Sequence, residues 1–169
     1  GWPEEYIATP SFDDVRGCDP EHALEIQAWV EDLVAKTGFD KVDIVAHSEG
    51  CLNTMHYLKN LCGVGRVRRF VALAGAFHGT VVACVDPFSC GAAEMCIGSG
   101  PDGWKENEGL VAINACDETP GDVLYTSVWS TFDEIITPAS GSILAGANNI
   151  EVERSEERRV GKECVQPCR

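Results

Sequence analysis

The chain has 169 residues, of which 44% are hydrophobic, and a formal net charge of −14. This length predicts one domain with a packed core. The acidic balance argues against a nucleic-acid partner, which would require a basic surface. Nine cysteines are many for this length. Since none of them form a Cys-x-x-Cys pair, they predict structural disulfides of an oxidising compartment rather than a zinc finger.

The first predicted elements are a strand and a helix. Residues 5–12, EYIATPSF, predict a strand that Pro10 confines to a sheet edge. Asp19 precedes a proline, which is typical of an N-cap and a helix start. Residues 20–36 then carry one apolar helical face, made of Ala23, Ile26, Val30, Leu33 and Val34. Gly38 is expected to end this helix.

The centre of the chain is a strand that turns directly into a helix. Residues 41–47 are rich in β-branched and apolar side chains, whereas residues 50–61 place leucine and methionine at spacings of three and four. Between them lies Ser48, flanked by small residues. A serine in this context is typical of a nucleophile elbow, although Ala46 replaces the first glycine of G-x-S-x-G. A further strand at residues 66–74 predicts a parallel sheet covered by helices.

The second half of the chain is less regular. Residues 75–122 form a long connection rich in glycine and cysteine, with one helix predicted around residues 104–115, and such connections are usually functional loops or lids. Within it, Cys90 and Cys96 bracket a short loop and are the expected local disulfide. Strands are predicted at 123–129 and 149–153. Residues 154–169 are a charged tail without periodicity, so the domain is expected to comprise residues 1–153.

Several of these segments occur together in one known family. VDIVAHSEG, LNTMHYLKNL, RVRRFVALAGA with HGT, and VLYTSVWSTFDEII resemble the small bacterial triacylglycerol lipases of the α/β-hydrolase fold, the class 2 lipases, over roughly residues 38–152. The resemblance implies an α/β protein with three α/β/α layers and a mainly parallel sheet, incomplete at both ends. It implies a secreted monomer that hydrolyses a small-molecule acyl ester or lipid and makes transient contact with a lipid surface. It implies no cofactor and no metal ion.

The resemblance also assigns site residues. Ser48 is the expected nucleophile that forms an acyl-enzyme, and the backbone N–H of Glu49 is one donor of the oxyanion hole. The family's second donor lies on a His-Gly loop, which is expected upstream of Gly1. Asp133 matches the family's YTS…D segment as the triad acid, with Glu134 as its substitute.

The triad histidine is expected to be absent from the chain. In the family it follows the acid, whereas every histidine here precedes Asp133: His22, His47, His56 and His78. Alternation along the strand directs His47 away from Ser48. His78 follows a strand at the functional edge of the sheet, but the family carries a histidine in this HGT loop without using it as the base. Without an imidazole the serine lacks a general base, so little activity is expected of this chain.

Two other functions stay open at this point. One is a non-catalytic binding protein on a hydrolase scaffold that has lost the histidine. The other is a related acyltransferase or peptidase, because a fold does not determine its chemistry. The apolar loop residues Val81, Val82, Val85 and Phe88 fit either an acyl site or lid, or simple packing on the core.

Overall fold

The computed structural model describes residues 2–86, 88–100 and 103–153. The helices are α1 (Asp19–Thr37), α2 (Glu49–Asn60), α3 (Cys90–Met95) and α4 (Glu108–Asn114). The strands are β1 (Val42–His47), β2 (Val67–Leu73), β3 (Gly98–Gly100), β4 (Gly103–Lys105), β5 (Leu124–Trp129) and β6 (Asn148–Glu151). Short 3-10 helices occupy Glu4–Tyr6, Gly63–Gly65, Val81–Val85 and Ala139–Ser142. The charged tail predicted at 154–169 lies outside the described residues.

Four strands form a parallel sheet in the order β1-β2-β5-β6. The register aligns His47 with Leu73 and Leu73 with Val128. The carboxyl ends of β1, β2 and β5 therefore meet at one edge of the sheet. This edge is where ligands bind in α/β proteins of this kind. β3 and β4 form a separate antiparallel pair.

The core lies between this sheet and the helices. Ala23, Ile26 and Val30 of α1 are buried, as the helical spacing predicts. The central helix α2 contributes Leu52, Met55 and Leu58, each 1% exposed. Residues that alternate with the core positions of β1 face the other side of the sheet, where Val45 is 68% exposed. A mainly parallel sheet flanked by helices confirms the predicted α/β-hydrolase fold class.

Three local predictions at the start of the chain and in the long connection were wrong. Residues 5–12 form no strand. A 3-10 turn spans Glu4–Tyr6, and Pro10 lacks the N–H group that a sheet ladder needs. The N-cap of α1 is Cys18, whose backbone is extended, so Asp19 is the first helical residue. The helix predicted at 104–115 begins only at Glu108, because residues 103–105 belong to β4.

The predicted Cys90–Cys96 disulfide was also wrong. Cys90 is bonded to Cys18, and Cys96 is bonded to Cys84. The reason is the unpredicted helix α3, which spans Cys90–Met95. A helix separates residues six positions apart by about 9 Å, which exceeds the roughly 7 Å that a disulfide can bridge between Cα atoms.

The stability of the protein is expected to respond differently to the loss of the hydroxyl group at each of two buried tyrosines. Tyr125 donates its hydroxyl to Pro120 O at 2.8 Å, whereas the buried Tyr57 hydroxyl has no hydrogen-bond partner in the part of the chain that the structure describes. Burial raises the pKa of Tyr57 to about 12. We expect Tyr125→Phe to lower the free energy of unfolding by about 1 kcal/mol and Tyr57→Phe to leave it unchanged or raise it. Urea denaturation of both variants checks this, and equal losses would contradict it.

Candidate functional site

Ser48 lies at the turn between β1 and α2 with an unusual backbone. Its φ is 52° and its ψ is −127°, a sparsely populated combination for a residue with a side chain. The turn is held on both sides, since Ser48 N donates to Leu73 O at 3.0 Å and Cys51 N donates to Ser48 O at 3.0 Å. A Cβ at Gly50 would lie 3.9 Å from the Cβ of Ala46. Alanine at position 46 is therefore small enough for the strand and helix to pass each other.

The first turn of α2 offers backbone donors beside this serine. Glu49 is the first residue of the helix, and the first N–H groups of a helix have no acceptor within it. The same end of the helix carries the positive end of the helix dipole. The arrangement can therefore stabilise a negative charge that develops near the Ser48 hydroxyl.

Asp133 follows β5 at the same edge of the sheet. Its Oδ1 accepts hydrogen bonds from Ile135 N at 2.8 Å and Ile136 N at 2.9 Å. Because β2 separates β1 from β5, the ends of these strands are about 10 Å apart. A carboxylate accepts up to about four hydrogen bonds, so Asp133 is held firmly and keeps capacity for another donor. Its neighbour Glu134 is exposed, which makes it the less constrained of the two acids.

His78 follows β2 and its ring belongs to a polar cluster with α4. Its Nδ1 lies 2.5 Å from Glu106 Oε1 and 3.2 Å from Asn114 Nδ2, and its Nε2 lies 3.6 Å from Glu118 Oε2. Its backbone N–H donates to Gly141 O at 3.0 Å. Through these contacts, His78 of the HGT segment holds the loop after β2 in place. The other two candidates of the central segment lie elsewhere: His47 is exposed on β1, and His56 Nδ1 contacts Asn60 on α2.

A sequence model of the lipase (class 2) family matches residues 8–166. The chain belongs to the class 2 lipase family. The predicted resemblance is thereby confirmed, and at the family level the chain belongs with carboxylic ester hydrolases of the lipase and esterase type.

Solved structures share the fold of this chain. Lipase B from Aspergillus fumigatus is 23% identical with a TM-score of 0.62, and the match covers 81% of this chain and 34% of that one. The mature form of the Bacillus licheniformis lipase BlEst2 is 12% identical with a TM-score of 0.62, covering 80% and 66%. A gene product of Listeria innocua, lin2722, is 16% identical with a TM-score of 0.55, covering 84% and 59%. The chain thus spans between about a third and two-thirds of these proteins.

The sequence did not predict the buried contacts of His22. The side chain is 2% exposed, and its Nδ1 lies 3.7 Å from Glu49 Oε1 and 3.1 Å from Asn53 Nδ2. A helix that precedes a strand and a helix that follows it both run opposite to that strand, so α1 and α2 are parallel. Their first turns, which contain His22 and Glu49, consequently lie side by side. This order of helix, strand and helix could have been used to predict from the sequence that His22 and Glu49 are neighbours.

Asp19 lies in the same place and is fully buried. Burial, reinforced by the charges of Glu94 and Glu49, raises the pKa of Asp19 to about 8. Burial also raises the pKa of Glu49, against the opposing effect of His22. Acidic groups therefore converge behind the serine turn of this chain.

The loop after β2 exposes apolar side chains. Val85 is 80% exposed and Phe88 is 82% exposed, whereas Val81 packs against the core. Of the two predicted interpretations, core packing therefore applies to Val81 and not to Val85 or Phe88. Among the described residues, no helix is both long and apolar enough to cross a membrane.

Proposed function

We propose that this chain carries the nucleophile and acid of a secreted serine carboxylic ester hydrolase. The observation that carries the proposal is the backbone of Ser48, with φ 52° and ψ −127° at the junction of a parallel strand and a helix. The Ser48 hydroxyl attacks the acyl carbonyl carbon and the alcohol leaves, which yields an acyl-enzyme. Water then attacks the same carbon and releases the fatty acid.

The charge on the carbonyl oxygen is stabilised by the backbone N–H of Glu49. This group is the first donor of α2, and the positive end of the helix dipole supports it. Asp133 serves as the triad acid, because two backbone amides hold its carboxylate and its chain position follows the nucleophile, in the order of α/β-hydrolases.

The imidazole of the triad is the component that this chain does not supply in the expected place. All four histidines precede Asp133, and His78 is engaged by Glu106, Asn114 and Glu118. Removing the base from such a triad leaves only the contribution of binding and the oxyanion hole. We therefore propose that the 169-residue chain by itself hydrolyses esters slowly.

The substrate proposed is an acyl ester or lipid, and the site of action is extracellular. Exposed Val85 and Phe88 supply an apolar surface for transient contact with lipid. The disulfides Cys18–Cys90 and Cys84–Cys96 are typical of proteins in an oxidising compartment. Both features support the proposal of a secreted lipase or esterase, which we expect to act as a monomer.

Chemical rescue tests the proposal directly. We expect the chain to hydrolyse p-nitrophenyl butyrate at a rate close to that of buffer alone. Added imidazole should act as the general base and raise the protein-dependent rate by roughly tenfold. Because imidazole hydrolyses this ester by itself, the rate with imidazole alone is subtracted. Ser48→Ala should remove the increase.

The matched control is Ser99→Ala, which replaces an exposed serine on β3. This variant should keep the full imidazole-dependent increase in the rate of ester hydrolysis. An imidazole response that survives Ser48→Ala would refute Ser48 as the nucleophile. Robust hydrolysis without imidazole that is abolished by Ser48→Ala would instead refute the proposed slow rate and identify a base within the chain.

A further inference from the structure

The first turns of α1 and α2 bring an aspartate, a histidine and a glutamate together behind the serine turn. The ligand atoms of Asp19, His22 and Glu49 all lie within 4.8 Å of one another. Asp19 is 0% exposed and His22 is 2% exposed, whereas the Glu49 side chain is 27% exposed. The cluster is therefore largely shielded from water, with Glu49 at its accessible side.

Asp19 is the most unusual member because both of its carboxyl oxygens are buried without a hydrogen-bond partner among the described residues. Leaving a carboxylate buried and unpaired is costly. The surroundings add negative charge, since Glu94 accepts a hydrogen bond from the Asp19 backbone at 2.6 Å. A bound cation would compensate this charge.

His22 has the hydrogen-bond pattern of a metal ligand. Its Nε2 lies 2.7 Å from Asp14 O, and since a carbonyl oxygen only accepts, the proton of a neutral ring is on Nε2. The lone pair is then on Nδ1, which accepts a hydrogen bond from Asn53 Nδ2 at 3.1 Å and faces Glu49 Oε1 at 3.7 Å. A cation bound at Nδ1 would therefore replace the Asn53 donor. Metal-binding histidines commonly donate their other ring N–H to a backbone carbonyl in this way.

Two glycines leave room for the cluster. A Cβ at Gly91 would lie 2.2 Å from Glu49 Oε1, and a Cβ at Gly17 would lie 2.9 Å from His22 Nε2. One turn along α2 from Glu49, the buried Oδ1 of Asn53 is a further oxygen without a partner in the described part of the chain. The Asn53 side chain borders the cluster, because its amide nitrogen lies 3.1 Å from His22 Nδ1.

We propose that Asp19, His22 and Glu49 bind a divalent transition-metal cation, for which Zn²⁺ is the best fit. One imidazole nitrogen with carboxylate oxygens suits Zn²⁺, whereas Ca²⁺ and Mg²⁺ prefer oxygen ligands alone. The cation would hold the starts of α1 and α2 together directly behind Ser48, so its role is structural. The proposal does not depend on the proposed hydrolase chemistry.

Metal binding to the full chain is the test. Protein freed of metal with a chelator and dialysed is titrated with Zn²⁺ by calorimetry, and bound zinc is measured after gel filtration. We expect one tightly bound Zn²⁺ per chain and a higher midpoint of thermal unfolding. We expect Asp19→Asn and His22→Gln each to weaken binding by more than about tenfold, and Ca²⁺ to have no comparable effect.

Matched controls separate this site from adventitious binding, which the exposed thiols of Cys62 and Cys116 can support. Asp32→Asn changes an exposed acid on the same helix, and His56→Gln changes a histidine outside the cluster, so both should keep wild-type affinity. Glu49→Gln, at the accessible side of the cluster, replaces any variant that does not fold and should weaken binding in the same way.

Two outcomes would overturn the proposal. One is a wild-type chain that binds no stoichiometric Zn²⁺ and whose unfolding midpoint Zn²⁺ leaves unchanged. The other is equally tight binding by the wild type, Asp19→Asn and Glu49→Gln. In either case Asp19 is a buried acid that needs no cation, and replacing it with asparagine should leave the midpoint of thermal unfolding unchanged or raise it.

Discussion

Replacing Cys18 and Cys90 together by serine is expected to lower the free energy of unfolding by about 4 kcal/mol. The bond joins residues 72 positions apart, and a crosslink of this length removes much conformational entropy from the unfolded chain. It also ties the start of α1 to the start of α3, beside the acidic cluster. Urea denaturation under non-reducing conditions measures the loss, with both cysteines replaced so that no unpaired thiol is introduced.

The second disulfide is the matched control for this prediction. Cys84 and Cys96 are 12 positions apart, so their replacement by serine should cost less, about 3 kcal/mol. If the double variant at Cys84 and Cys96 lost more stability than the one at Cys18 and Cys90, the loop-length argument would not hold for this protein.

Phe77→Ala is expected to destabilise the protein by about 3–5 kcal/mol. Phe77 is 0% exposed and meets Phe70 of β2 edge to face with ring centroids 6.4 Å apart. Truncation leaves a cavity that the surrounding strands cannot fill, because the backbone on both sides is fixed. Asn114 donates to Phe77 O at 2.8 Å, so a shift of this segment also affects the neighbouring His78.

Phe88→Ala provides the same chemical change on the surface. Phe88 is 82% exposed, and its truncation should alter the free energy of unfolding by no more than about 0.5 kcal/mol. Urea denaturation of the two variants under identical conditions tests the pair. Comparable losses at the two positions would show that Phe88 is packed in solution or that the site of Phe77 relaxes.

Local sequence patterns were sufficient to predict those elements whose structure is determined by their own residues. The sequence predicted α1, α2 and β1, because helix and strand periods are properties of short segments. The evidence was the apolar spacing of the two helices, the β-branched run of β1, and Gly38 at the end of α1. Ser48 and Asp133 were readable as candidates because motifs of this kind are contiguous. The family match over residues 8–166 confirms the resemblance that these motifs carried.

Prediction failed where a segment's state depends on distant partners. Residues 5–12 have strand-like composition, but composition does not supply a neighbouring strand, and Pro10 removes a hydrogen-bond donor. Cys90 and Cys96 are close in sequence, yet α3 holds them apart and directs Cys90 to Cys18, 72 positions away. Disulfide connectivity is set by three-dimensional approach, which spacing along the chain does not encode.

The sequence by itself determined the α/β class, the order of the central elements and the serine turn, because short-range periodicity and steric demands act within a few residues. Only the tertiary structure decided what surrounds that turn. Asp19 and His22 lie about thirty positions before Glu49, and only the parallel packing of α1 on α2 makes them neighbours. Burial then changes their chemistry, since the cost of a charge depends on the water and partners around it.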